Sequence, residues 1–114
     1  MELKKANLTV MVSDMDRSVK FYESLGLKLQ NRWGNYYAQI AGAGITIGLH
    51  PASIPVVGSG SLSIGFAIDN FEEGKKFLQD LSIQAQERNE EGGQFLHFKD
   101  PDGTEIYFIK SKCG

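Results

Sequence analysis

The sequence predicts an α+β fold made of two βαβββ modules that form a cupped mixed sheet, and three observations carry that prediction. The first is Asp100-Pro101-Asp102-Gly103-Thr104, which reads as a tight turn feeding a strand. Proline fixes φ there, aspartate side chains can accept from nearby amides, and glycine supplies a positive φ. The second is a weaker copy of that turn and strand at Gly42-Ala43-Gly44-Ile45-Thr46-Ile47-Gly48-Leu49-His50. The third is a strand–helix–three-strand order that occurs once on each side of a Pro/Gly/Ser-rich segment.

From Asn7 to Val12 the chain alternates, with Leu8, Val10 and Val12 on one face and Asn7, Thr9 and Met11 on the other. Ser13-Asp14 offers a helix N-cap, and Met15, Val19, Tyr22 and Leu25 recur at helical spacing, with Phe21 flanking them. Gly26 closes that helix. Strands follow at Leu27–Trp33, Tyr36–Ala41 and Ile45–His50, broken by Gly34-Asn35 and by Gly42-Ala43-Gly44. A linker is expected over about 52–61, between a first module at about 5–51 and a second at about 62–111, the whole forming one domain over 1–114. In the second module Leu62–Ile68 is a strand, and Asn70 with Glu73 opens a helix in capping-box fashion. Phe71, Phe77, Leu78 and Leu81 give that helix its apolar side. Strands at Ile83–Arg88, Gln94–Lys99 and Thr104–Lys110 complete the repeat, with Glu90-Glu91-Gly92-Gly93 as a turn. Val12-Ser13-Asp14 echoes Ala67-Ile68-Asp69, and Ile47-Gly48-Leu49 echoes Ile106-Tyr107-Phe108. One helix per module is expected on the convex side of the sheet, against Leu8, Val10, Val12, Ile64, Phe66 and Ile68. The opposite faces would line a concavity.

Composition excludes several classes. A 114-residue chain with 41% hydrophobic and 23% charged residues has the make-up of a soluble globular domain. A formal charge of −2 without a basic cluster argues against nucleic acid held by phosphate contacts. No apolar run reaches membrane-spanning length and no signal-peptide core is readable, so a cytoplasmic location is expected. Cys113 is the sole cysteine, so no disulfide within the chain is possible, and no base stands near it in sequence to activate it.

Val12-Ser13-Asp14-Met15-Asp16-Arg17-Ser18, Phe21-Tyr22, Leu25-Gly26-Leu27, Gly65-Phe66 before Asp69, and Asp100-Pro101-Asp102-Gly103 stand in an order and spacing that resembles the vicinal oxygen chelate superfamily. That group holds glyoxalase I, bleomycin-resistance proteins, fosfomycin-resistance transferases and extradiol dioxygenases. The resemblance covers nearly the whole chain. It implies a homodimer with a ligand site inside the cup, and in the enzymes a divalent metal held by His and Glu at one point on each of four strands. Carried onto this chain, those points are Asn7, Gly48, Ser63 and Tyr107, none of them a histidine or carboxylate. A catalytic site of this kind needs three or four strong ligands, so the expectation is no metal, no cofactor and no metal-dependent catalysis.

The expected ligand-binding cup is lined by Asn7, Thr9, Met11, Trp33, Tyr37, Gly48, His50, Ser63, Glu105 and Tyr107. Tyr36 and Phe95 add rings on bordering strands, and such rings suit a planar or cationic ligand unless they simply pack the core. The bleomycin-resistance branch of the resemblance is metal-free and binds its drug in an aromatic cleft. A sequence pI of 5.6 is only mildly acidic for a strongly cationic ligand. The favoured reading is a metal-free small-molecule-binding protein that sequesters a drug or metabolite. The alternative is a lyase or isomerase with a displaced metal, or with acid–base chemistry, at His50, His97 and Glu105. No nucleophile–base–orienter set is readable, so no catalytic residue is assigned. Against that alternative stands the plain reading of His50 as a strand-end residue, His97 as packed and Glu105 as solvated. A third reading is a non-catalytic interaction module whose cup is filled by Met11, Trp33 and Tyr107.

Overall fold

The computed structural model describes residues 1–4, 6–52 and 62–111. Lys5, the expected linker beyond Ala52, and Cys113 lie outside the described residues. The chain divides into two compact units, Met1–Val57 and Gly58–Gly114.

The first unit runs β1 (Leu8–Val12), α1 (Met15–Ser24), β2 (Lys28–Trp33), β3 (Tyr37–Gly42) and β4 (Ile45–Pro51). Its strands lie in the order β1-β4-β3-β2, with β1 parallel to β4 and the other pairs antiparallel. The second unit repeats the plan with β5 (Ser63–Ala67), α2 (Phe71–Asp80), β6 (Gln86–Glu90), β7 (Gly93–Lys99) and β8 (Glu105–Ser111), ordered β5-β8-β7-β6. Each is a four-stranded mixed sheet with one helix, the expected α+β modules. No helix among the described residues is long and apolar enough to cross a membrane.

Alternation decides which face meets the helix. Val10, Val12, Ala38, Ile40, Ile47 and Leu49 are buried with Met15, Val19 and Tyr22 of α1. In the second unit Ile64, Leu96, Phe98, Ile106 and Phe108 are buried with Phe71 and Leu78 of α2. Each large side chain taken out of water here stabilises the fold by about 1.5–3 kcal/mol. The α2 stripe differs from expectation: Phe77 and Leu81 are 38% and 37% exposed, and Gly74 takes the contact position between Phe71 and Leu78. A β-carbon on Gly74 would collide with Ile68 Cδ1, so the small residue lets the helix sit close to its sheet.

The helix ends follow local chemistry. Asp14 Oδ1 accepts from the Arg17 amide at 3.1 Å, and Asn70 Oδ1 accepts from the Glu73 amide at 2.9 Å. These caps make Asp14 equivalent to Asn70, so the echo of Val12 is Ile68 and not Ala67; the sequence alignment of the two repeats slips by one residue. At the C-termini, Leu27 donates to the Tyr22 carbonyl and Ile83 to the Leu78 carbonyl, each five residues back. The residue that must turn left-handed is Gly26 (φ 103) in the first unit but Ser82 (φ 60) in the second. A β-carbon costs about 1–2 kcal/mol in that region. Ser82→Gly is therefore expected to raise the unfolding free energy by about 0.5–1 kcal/mol in a urea melt, the gain being reduced by the extra freedom glycine has in the unfolded chain.

Most strand ends move by one residue, and the strand expected at Ile83–Arg88 moves furthest. Ile83–Arg88 begins later, at Gln86, because the Ile83 amide is used to close α2. The turn before β7 shortens to Glu91-Gly92, since Glu90 already pairs with Gly93.

Candidate functional site

The face of each sheet away from its helix carries the aromatic residues. In the first unit the register places Met11 beside His50 and Trp33 beside Tyr37. The Trp33 and Tyr37 rings stack with centroids 5.8 Å apart, and Tyr37 meets His50 edge-on at 6.5 Å. Trp33 reaches this row through a bulge. Leu29 pairs with Ile40 but Asn31 pairs with Gln39, so Gln30 is an extra residue on β2. That extra residue reverses the alternation and turns Trp33 onto the helix-free face, the re-aiming such bulges perform. Asn31 donates to Gln39 Oε1 in the next row at 3.2 Å, beside the Thr9–Gly48 pair.

His50 Nδ1 lies 2.9 Å from the Pro51 carbonyl oxygen. A carbonyl can only accept, so Nδ1 carries the proton, and Nε2 of the neutral ring is left as an acceptor.

In the second unit Gly65, Tyr107, His97 and Gln86 form one row across β5, β8, β7 and β6. Phe95 stacks on His97 at 5.7 Å and 19°, and Tyr107 packs against both at 5.9 and 5.6 Å. Ser63 pairs with Glu105, and Glu105 with Lys99, whose ammonium lies 3.5 Å from the carboxylate. A groove of about 800 Å³ opens on this unit, walled by Gln84, Gln86, Arg88, His97, Lys99 and Glu105.

Tyrosine covers a glycine in both units. A β-carbon built on Gly48 would run into the Tyr37 hydroxyl, and one on Gly65 into the Tyr107 ring. Gly48 is consequently buried although it belongs to the helix-free face. Among the strand points that carry metal ligands in the enzymes of the resemblance, Gly48 offers no donor and its space is taken by Tyr37. Asn7, Ser63 and Tyr107 offer neutral oxygens. Among the described residues no group of three or more His, Cys, Asp or Glu side chains is placed to hold a metal ion. The residues at these points do not fit a divalent-ion site of that kind.

Asn7, Thr9, Met11, Trp33, Tyr37, Gly48 and His50 thus belong to the first unit, and Ser63, Glu105 and Tyr107 to the second. Tyr36 falls in the hairpin turn, 81% exposed, its amide bonded to the Trp33 carbonyl at 2.9 Å. His97 and the groove residues Gln84, Gln86, Arg88 and Lys99 are absent from the sequence-derived cup, in which Tyr107 is a lining residue and Phe95 only a bordering ring. The spacing of Phe95 and His97 was the available signal, since residues two apart share a strand face.

The profile of the Glyoxalase/Bleomycin resistance protein/Dioxygenase superfamily matches residues 6–108. The chain belongs to that superfamily. Among solved structures it is similar to the fosfomycin resistance protein FosX from Listeria monocytogenes, with a TM-score of 0.81 at 16% identity over 98% of this chain and 96% of that one. It is similar to a bleomycin resistance determinant encoded on the transposon Tn5, with a TM-score of 0.74 at 18% identity over 96% and 99% of the two chains. It is also similar to lactoylglutathione lyase from Agrobacterium tumefaciens, with a TM-score of 0.73 at 17% identity over 98% of each. Comparison with curated protein sequences returns no match. At such identities the likeness is one of fold, shared by resistance proteins and a lyase alike.

Proposed function

We propose that this protein binds a small molecule against the aromatic residues of its helix-free faces, without the metal that serves enzymes of its superfamily. The observation that carries this reading is the pair of tyrosines laid over glycines: Tyr37 fills the space above Gly48, one of the four ligand points, and Tyr107, which stands at another, lies over its neighbour Gly65. Trp33, Tyr37 and His50 in one unit, and Phe95, His97 and Tyr107 in the other, offer flat apolar faces with polar tips, a surface suited to planar ligands. Asn7, Thr9, Met11, Ser63 and Glu105 complete the proposed lining. The role is sequestration of a drug or metabolite by a single domain of two modules, acting as a homodimer in the cytoplasm, with no cofactor and no nucleic-acid or membrane partner.

Trp33 is the one tryptophan of the chain and makes the test direct. Its emission is expected to be quenched saturably by flat aromatic probes in the micromolar range and to be unmoved by zinc or manganese. Quenching by the metals alone would sink the reading.

A second reading, acid–base catalysis, has one observation in its favour: the fixed tautomer that leaves His50 Nε2 open as a base. It predicts that His50→Gln abolishes turnover of any substrate found while the protein stays folded. Unchanged turnover in that variant removes it.

A further inference from the structure

We propose that the groove of the second unit selects flat aromatic monoanions, ligands that pair one carboxylate with a ring. This rests on the small-molecule-binding reading and adds to it the charge of the ligand. The groove is walled by two cations, Arg88 and Lys99, one carboxylate, Glu105, and the His97 ring. Lys99 and Glu105 stand 3.5 Å apart and neutralise each other. The Arg88 guanidinium has neither a hydrogen bond nor an ion pair to any described residue, which leaves one uncommitted positive charge on the wall.

The placement of that charge matters more than its sign. Arg88 pairs with Phe95 across the β6–β7 ladder, and Gln86 pairs with His97. Arg88 therefore stands one cross-strand step from the stacked Phe95–His97 rings, within the 4.5–5.5 Å at which opposed side chains begin. A ring lying on that stack would carry a carboxylate toward a guanidinium whose planar fork matches it with two parallel bonds. Gln84 and Gln86 add amide groups to the groove wall. The whole chain carries −2, so a preference for anions cannot come from its overall field and must arise at Arg88.

Three probes of one shape separate the outcomes: naphthoate, naphthylmethanol and naphthylmethylammonium, followed by chemical shifts of Arg88, His97 and Lys99. Naphthoate is expected to bind about tenfold more tightly than the alcohol, the worth of one charge-assisted pair at a partly open site. Arg88→Gln should reduce that advantage to less than about twofold, whereas Lys75→Gln, which removes an α2 ammonium that pairs with Glu87 of β6, should preserve it. Equal affinities for all three probes, or a preference for the ammonium, overturn the charge selection and leave aromatic binding standing. Binding by none of the three overturns both proposals.

Discussion

Asp100→Ala is expected to lower the unfolding free energy by about 3 kcal/mol, seen as a lower urea midpoint with an unchanged slope. Asp100 is 4% exposed, and its Oδ1 accepts from the Asp102 amide at 2.9 Å and the Thr104 amide at 2.8 Å. The backbone closes the same turn twice, through Gly103 to the Asp100 carbonyl and Asp100 to the Thr104 carbonyl, both at 3.0 Å. Alanine would leave two amides in a buried turn without their acceptor, and each such loss costs on the order of 1–3 kcal/mol. Asp100→Asn keeps an acceptor oxygen in place and should cost only about 1 kcal/mol, because it loses charge assistance and not the bonds themselves. Equal losses for the two variants would mean that the charge, and not the pair of acceptor bonds, holds the turn. The turn sets the start of β8, and with it the position of Tyr107 two residues into that strand.

Gly93→Ala is expected to cost about 2–3 kcal/mol, close to the loss at Asp100 but through a different cause. Gly93 has φ 146, and a β-carbon there would lie on the carbonyl oxygen of Lys110. That oxygen is backbone within the β7–β8 ladder, where Gly93 pairs with Ser111 and Gln94 with Lys110, so relief requires the two strands to part. The neighbouring Gly92 is a built-in control. Its β-carbon would meet only the Phe95 ring at 4.0 Å, and Gly92→Ala should stay within about 0.5 kcal/mol of the parent. Because β7 carries Phe95 and His97, the Gly93 variant should also disturb the ring cluster, visible as a loss of aromatic ring-current shifts. A Gly93→Ala protein as stable as the Gly92→Ala one would contradict the strand geometry described above.

The fold was readable because its determinants are local. Alternation marked β1, β4 and β8, Asp14 and Asn70 marked the helix starts, and Gly26 marked a helix end. What escaped depends on pairing. Ile83-Gln84-Ala85 alternates like a strand, yet the Ile83 amide is taken by the Leu78 carbonyl, so β6 begins only at Gln86. The bulge at Gln30 sits in a polar stretch with no local signature, and it exists only as a mismatch between β2 and β3. Gly74 reads as a flaw in a helix until Ile68 is seen against it.

The candidate site was readable in part for the same reason. Trp33, Tyr37 and Tyr107 announce themselves by residue type. The covering of Gly48 by Tyr37 and of Gly65 by Tyr107 needs the neighbouring strand in place. Arg88 enters the sequence reading only as the end of a strand, and its position beside Phe95 follows only from the β6–β7 register.

Calorimetric titration of zinc and of manganese into the protein, repeated with the same protein holding a flat aromatic probe, tests whether this scaffold works through rings and not through a metal. Saturable heat for the probe alone, with no metal binding tighter than about millimolar, is the expected result. One equivalent of metal bound at micromolar strength, and lost in Ser63→Ala or Tyr107→Phe, would contradict it.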